Sequence, residues 1–555
     1  MNVSEESAQR AATGAEAVGE TLAACGIDTV YGVVGSGNFV ATDALVRSGA
    51  RFAGARHEAG ALAMADAHWR TTGLIAACSV HQGPGLTNTL TALAEAAKSR
   101  SPVVVVAGAT SAGMTRSNFY LDQAALITAA GGAAEYLHRP DTVAADTARA
   151  FRRARDEQRP VVLNMPLDVQ ASTAPPPEGR GPVPVLEPAG RTQPEAGLLA
   201  ELAEDLLSAS RPVLLAGRGA WLSGAREAIT ALADKVGARL ATTAVVKGMF
   251  TGHPRDVGIA GGFSGPAAVE TLESADLIVA LGATLTTWTT RGDTIFSGRV
   301  KVVQVDREHS ALGRNARVDV GIVADADAAA RALLAEVGDR PGASRFGPVE
   351  RSADPVAPGP PSTEGTCHPA GITARLEEML PAERTVVLDG GHFIGWPAMG
   401  WSVPDPAGFV FTSAGFQSIG LGLGAAAGAA VARPDRLTVL ATGDGGFLMA
   451  VSELETLVRL NLDVLIVVYD DRAYGAEVHH FLHHGSGLDL VRFPDAGDIA
   501  GIARGAGARA VTVREQHDIA QAADWFAQPR GVLVLDVRID PTVVGPWAEQ
   551  DFAGH

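Results

Sequence analysis

Ten short apolar runs punctuate the chain, and each is stopped by Gly, Pro or a charged residue. They are Thr29–Val34, Val103–Ala107, Val161–Met165, Val213–Ala216, Leu277–Leu281, Val300–Val305, Val386–Leu388, Leu437–Ala441, Val464–Tyr469 and Val532–Val537. Runs this short and this uniformly apolar have no polar face. They read as strands covered on both sides, as in parallel sheets. The Ala/Leu/Glu-rich stretches between them are long enough for crossover helices. The whole chain is therefore expected to be α/β, with doubly wound parallel sheets.

Two stretches break the rhythm. Residues 171–195 and 340–368 are rich in Pro and Gly and lack material for a core, so they read as linkers. They divide the 555 residues into pieces of roughly 1–175, 190–342 and 368–555, each the size of one α/β domain. The first and third pieces share a layout, a Gly-rich turn after a strand, as distant duplicates would. The formal net charge of −17 comes without a basic stripe, which argues against a nucleic-acid partner. The 3 cysteines are far apart, with no CxxC pair, so neither a disulfide framework nor a cysteine zinc site is expected. The N-terminus is polar and acidic rather than a signal peptide, and no uninterrupted apolar run reaches the length of a membrane span. A soluble, cytoplasmic protein without a membrane partner is the expectation.

The chemistry concentrates in the third piece. Gly443, Asp444, Gly445 and Gly446 follow the run Leu437–Ala441. Glycines there let backbone N–H groups close on an anion, and a following helix N-terminus adds its dipole. Asp444 has the hard oxygen that a divalent cation beside phosphates prefers. Gly-Asp-Gly alone reads equally as a strand–helix turn with Asp as its cap. A second acidic pair, Asp470 and Asp471, ends the run Val464–Tyr469. If the two strands are adjacent and parallel, both loops share the C-terminal sheet edge where ligands of open α/β sheets bind. Asp444 and Asp471 can then share one Mg²⁺.

The spacing from Gly-Asp-Gly to a two-residue pair resembles the thiamin diphosphate signature. YGVVGSGN, RHEAGALAMADAHWR and SVHQGPGLTNTLTALAEAAKSRSPVVVVAG in the first piece complete an ordered set. With it the chain resembles, over nearly its whole length, the family of acetohydroxyacid synthases, pyruvate oxidases and benzoylformate-type decarboxylases. The resemblance implies three domains: pyrimidine-binding, central Rossmann-like, and diphosphate-binding. It implies Mg²⁺ held by Asp444, Asp471 and the carbonyl of Ala473. The chain has Asp-Asp where the family usually has Asn-Asn, which adds negative charge beside a diphosphate. It implies that Glu58 bonds the aminopyrimidine N1′. A carboxyl there makes the cofactor's own amino group a base, and burial between domains would raise its pKa.

In TSAGFQSIGLGLGAAAG, the resemblance makes Ile419 the wedge that bends the cofactor. The carbonyl of Gln417 and the N–H of Ile419 would then bind the pyrimidine. In LDGGHFIGW, it implicates Gly391 and His392 at the diphosphate, although His392 also reads as a polar loop residue. Ser36 and His81 fall at positions like those that benzoylformate-type decarboxylases use near the reacting carbon. A His there can relay protons near neutral pH; otherwise His81 is an ordinary loop histidine. Gln82 and Gln123 are weaker pocket candidates. His479, His480, His483 and His484 would share a helix face, as pocket-lining or solvent-facing residues more than as zinc ligands, with His480 the one to reach substrate. The central LLAGRGA and VVQVD have a dinucleotide-like rhythm, but no third Gly follows. The family's flavin-site stretch has no match in GATLTTWTTRGD, so FAD is not expected.

The resemblance thus implies an acetolactate-synthase-like enzyme acting on a 2-oxo acid, with decarboxylation and carboligation through an enamine intermediate. The runner-up is a simple decarboxylase of benzoylformate type. A non-catalytic cofactor-binding paralogue and a nicotinamide or flavin dehydrogenase are the rivals from other classes. A homodimer or homotetramer with active sites across subunits is implied as well.

Overall fold

The computed structural model describes residues 12–174, 190–296, 300–349, 364–482, 487–494 and 497–548. Three six-stranded parallel sheets follow one another along the chain, each flanked by helices. All ten apolar runs are strands, to within two residues at their ends. With strands numbered in order within each sheet, the first and third sheets both run 2-1-3-4-6-5, while the middle one runs 3-2-1-4-5-6. The first and third units therefore share their strand order as well as their layout.

The stretch from 340, expected as linker, begins as part of the central unit. Ala343 N–H donates to Leu207 O (2.9 Å), Arg345 N–H to Ser210 O (2.8 Å), and Arg239 Nη2 to Gly347 O (2.7 Å). Its Pro and Gly content precludes a helix or strand, yet the backbone still finds partners on the neighbouring surface.

The first and third units pack face to face through two helices, Glu58–Thr72 and Gly422–Ala432. Their contact is backbone to backbone. A Cβ on Gly424 would lie 2.8 Å from Gly60 O, and one on Gly428 would lie 2.2 Å from Met64 O, so only glycine fits at either place. Leu62, Met64 and Val80 of the first unit share one apolar core with Leu440, Phe447 and Val468 of the third. Glu453, 1% exposed, accepts the N–H groups of Arg56 (3.1 Å) and His57 (2.8 Å) across the same seam. That fixes the backbone just before Glu58. The central unit joins through Arg100–Glu308 (2.7 Å) and through Lys247, whose ammonium donates to the carbonyls of Ala398 and Trp401. Among the described residues no helix is long and apolar enough to cross a membrane.

Candidate functional site

The third sheet builds a cradle at its C-terminal edge. Strands Leu437–Gly443 and Val464–Asp470 are adjacent and parallel, with Gly443 opposite Tyr469. Gly443 is the N-cap of helix Asp444–Met449, so Asp444 sits in the first helical turn beside the free N–H groups. Asp471 follows its strand directly and accepts Ala473 N–H (3.0 Å). The two acidic neighbours part company here. Asp470 turns away to Arg538 (2.5 Å) and Arg472 N–H (3.0 Å), and only Asp471 lines the cleft with Asp444.

Burial raises both carboxyls to about 7; for Asp444 the Asp471 charge adds to this, for Asp471 the Asp470 charge. Two desolvated carboxylates at one sheet edge are the donor set of a hard divalent cation, which relieves both charges at once. Among the described residues no three His, Cys, Asp or Glu side chains converge as ligands. The pair would need a carbonyl, for which Ala473 lines the same cleft, and oxygens of an anionic ligand to complete a shell. A divalent cation held by this pair would need both carboxylates ionised, so its affinity is expected to fall at least about tenfold from pH 8 to pH 6. The sign for stability is opposite. The folded apo protein holds these protons more tightly than the unfolded chain, so its stability should decline as pH rises from about 4 to about 7, and a cation should restore it. Calorimetric Mg²⁺ titrations and thermal melts at the two pH values check both, and Asp471→Asn should flatten the dependence.

The rest of the cradle is drawn together by Asp389, 1% exposed, which ends strand Arg384–Leu388. It accepts from Gly390 N–H (2.9 Å), Gly420 N–H (3.1 Å) and Thr442 Oγ1 (3.1 Å), and burial pushes its carboxyl up to about 6. Two loops and the end of strand Leu437–Gly443 are thereby tied by one side chain. Ile419, 39% exposed, reaches over Gly390, where an added Cβ would come within 2.7 Å of it. It stands on the cleft wall and is not a core residue. Gln417 holds φ +53°, the left-handed region that side chains rarely adopt.

His392 lines the same cleft, 7% exposed. Its Nε2 accepts Gly545 N–H (3.1 Å), which places the ring proton on Nδ1, and Nδ1 has no partner among the described residues. Burial, with His479 beside it, keeps the ring neutral, at about 3. The result is a buried N–H donor without an acceptor. Gly391, Gly445, Gly446 and His480 also line the cleft, which measures about 1210 Å³ and extends to Arg218, Ala283 and Asn315 of the central unit. Helix Gly475–His480 carries His479 and His480; the other two histidines of the expected face, His483 and His484, lie outside the described residues.

Ser36, Glu58 and His81 lie outside this cleft and form a second cluster in the first unit. Ser36 Oγ meets His81 Nε2 (3.3 Å), and His81 Nδ1 meets Gln82 O (2.9 Å), with Phe119 edge-on to the ring. Glu58 opens its helix and accepts from Asn88 Nδ2 (2.8 Å). A Cβ on Gly85 would touch both Glu58 and His81. Of the two weaker candidates, Gln123 is buried and bonded to Gly83 N–H, Gly108 O and Asn164 Oδ1, and Gln82 is buried against Gly37; neither lines this cleft. Asn88, Asp389 and Glu453 are positioning residues that sequence reading did not single out. For Asp389 one signal existed, an acid ending an apolar run as Asp470 does.

Three family models match the chain. The thiamine pyrophosphate enzyme N-terminal TPP binding domain matches residues 12–139, the central domain 199–333, and the C-terminal TPP binding domain 389–537. Sulfoacetaldehyde acetyltransferase of Alcaligenes xylosoxydans xylosoxydans is 30% identical, over 92% of this chain and 89% of its own length. A probable acetolactate synthase large subunit of Methanocaldococcus jannaschii is 27% identical, over 96% and 93%. The solved thiamine diphosphate-dependent 4-hydroxybenzoylformate decarboxylase of Rhodococcus jostii RHA1 has the same fold, with a TM-score of 0.81 at 24% identity, covering 95% of this chain and 99% of that one.

Proposed function

The chain belongs to the thiamine pyrophosphate-dependent enzyme family, and from that premise we propose that it is a Mg²⁺-dependent, acetolactate-synthase-like carboligase acting on a 2-oxo acid. One observation carries the reading of its active site. Each half of the constellation is well built and each is incomplete, with Glu58, Ser36 and His81 on one unit and the cation cradle on another, facing different spaces within a chain. We therefore place the working site between two copies of the chain, in a dimer or tetramer.

The residues fit the cofactor. The buried carboxylate pair, raised to about 7, supports Mg²⁺ held by Asp444, Asp471 and the Ala473 carbonyl. The buried Nδ1–H of His392 and the N–H groups of Gly445 and Gly446 at a helix start suit a diphosphate. Gln417 O and Ile419 N–H would orient the pyrimidine ring, and the Ile419 side chain would keep the cofactor bent. When bound, thiamin diphosphate supplies the carbon nucleophile that attacks the keto carbon and the electron sink that lets CO₂ leave. Glu58 holds or releases a proton at N1′, and Asn88 fixes the carboxylate in place for it. His81 and Ser36 line the approach of the reacting carbon, and His480 closes the cleft from the other side. The central unit is proposed to carry no flavin; an absorbance spectrum of the purified protein tests that.

The Ser36–His81 hydrogen bond favours a second reading, because a proton carried there would release a free aldehyde instead of a ligated product. Product analysis with pyruvate and with benzoylformate separates the two. The carboligase reading expects 2-hydroxy ketone or 2-hydroxy-3-oxo acid products to dominate. Free aldehyde alone would establish the simple decarboxylase instead.

A further inference from the structure

The loop from strand Phe409–Phe411 to helix Gly422–Ala432 carries both Gln417 and Ile419, and two buried carboxylates hold it from opposite ends. Asp389, of the same domain, takes Gly420 N–H. Glu95 comes from the N-terminal domain and is 1% exposed. It accepts Phe416 N–H (2.6 Å) and Gly415 N–H (3.1 Å), which precede Gln417 directly. Its other partners are Ser99 Oγ (2.7 Å) and Arg70 Nη2 (3.2 Å). Arg70 is itself buried. It pairs with Asp66 (2.7 Å) and donates to Phe411 O (2.7 Å), so the same cluster grips the start of the loop. The Lys98 ammonium stands 4.7 Å over the Phe416 ring, and a Cβ on Gly415 would come within 2.7 Å of Ser99 Oγ.

Such a cluster does more than fill space. Two buried acids and one buried Arg are costly to desolvate, and the cost is offset only when their lone pairs and protons are all used. Here the uses that reach beyond the N-terminal domain all fall on residues 411–416. The next residue, Gln417, is held at φ +53°, a conformation that a free loop would relax.

We propose that Glu95 is a positioning residue for the pyrimidine end of the cofactor. By fixing Gly415 and Phe416 it sets the Gln417 carbonyl and the Ile419 N–H, and it makes the shape of each cradle depend on the docked N-terminal domain of its own chain. The inference rests on the reading that residues 417–419 meet the aminopyrimidine. It concerns one end of the cofactor only. Gly391, Gly445, Gly446, Asp444 and Asp471 are held by other contacts and should not respond.

The test uses the full-length protein with Mg²⁺ and two probes, thiamin diphosphate and inorganic diphosphate, each titrated calorimetrically. Glu95→Gln turns an acceptor into an amide donor facing donors. It should weaken thiamin diphosphate binding roughly tenfold or more, the loss of one or two charge-assisted hydrogen bonds. Inorganic diphosphate should bind within about twofold of normal. Glu95→Asp keeps the charge that Arg70 needs but withdraws the oxygens by one methylene. It should fold even where the Gln variant does not, and should give the same split at smaller size. Equal losses for both probes, or no loss for either, would overturn the proposal. Parent protein that binds inorganic diphosphate but not thiamin diphosphate would instead overturn the cofactor reading beneath it.

Discussion

Glu58→Gln is expected to slow exchange of the bound cofactor's C2 proton, and turnover with it, by about 10²–10⁴-fold, the usual range for lost acid–base catalysis. Affinity for thiamin diphosphate should stay within about tenfold, or about 1.4 kcal/mol. The asymmetry follows from where the two functions reside. Glu58 stands at the first position of its helix, with its backbone approach fixed by Glu453 and its carboxylate oriented by Asn88. Gln keeps the shape and a hydrogen bond, but it cannot take or return a proton. The proposed diphosphate and cation contacts, at the cleft of the third unit, belong to another domain and would be untouched. Exchange measured by quenched-flow NMR beside a binding titration reads both quantities, and exchange at the parent rate would remove Glu58 from the chemistry.

Asp444→Ala is expected to show the reverse pattern. Mg²⁺-dependent retention of thiamin diphosphate should fall by at least about 100-fold, because removing one of the two proposed carboxylate ligands would leave Asp471 alone to hold a hard cation. The fold should survive, and the apo variant should melt higher than the parent at pH 8. Asp444 ionises in the parent only at about 7, and above that pH its buried charge is a burden without the cation. Removing it relieves that burden. Gel filtration of protein loaded with cofactor, followed by thiochrome assay, measures retention; melts at pH 6 and pH 8 measure the second effect. Unchanged retention would place the cation elsewhere.

The ten strands legible in the sequence are those with long apolar neighbours on both faces. All six sheet-edge strands escaped, including Arg51–Gly54, Asp256–Ile259 and Arg509–Val513. Most edge strands are half exposed, so their sequences mix charge with apolar residues and lose the run. Ala77–Val80 lies inside its sheet but reads ACSV, because small side chains suffice there. The site divided along similar lines. Asp444, Asp471, Glu58 and the cradle glycines were readable because their neighbours in sequence form the motif. Glu95, Asp389 and Glu453 were not, because the groups they serve include backbone N–H groups 31 to 397 residues away. No local pattern encodes such a pairing. The resemblance implies Glu58 and the Gly-Asp-Gly loop on different domains; that Ser36 and His81 also lie outside the cleft is seen only in three dimensions.

The claim that the active site is shared between copies of this chain is tested most directly by mixing. Glu58→Gln and Asp444→Ala proteins, each inactive alone, are combined under conditions where labelled subunits are seen to exchange. A mixed dimer then has one site with both defects and one site with neither. Random exchange of equal amounts puts half the dimers in that mixed form, so activity should return to about a quarter of the parent value. Exchange demonstrated by the label with no return of activity would contradict the shared site.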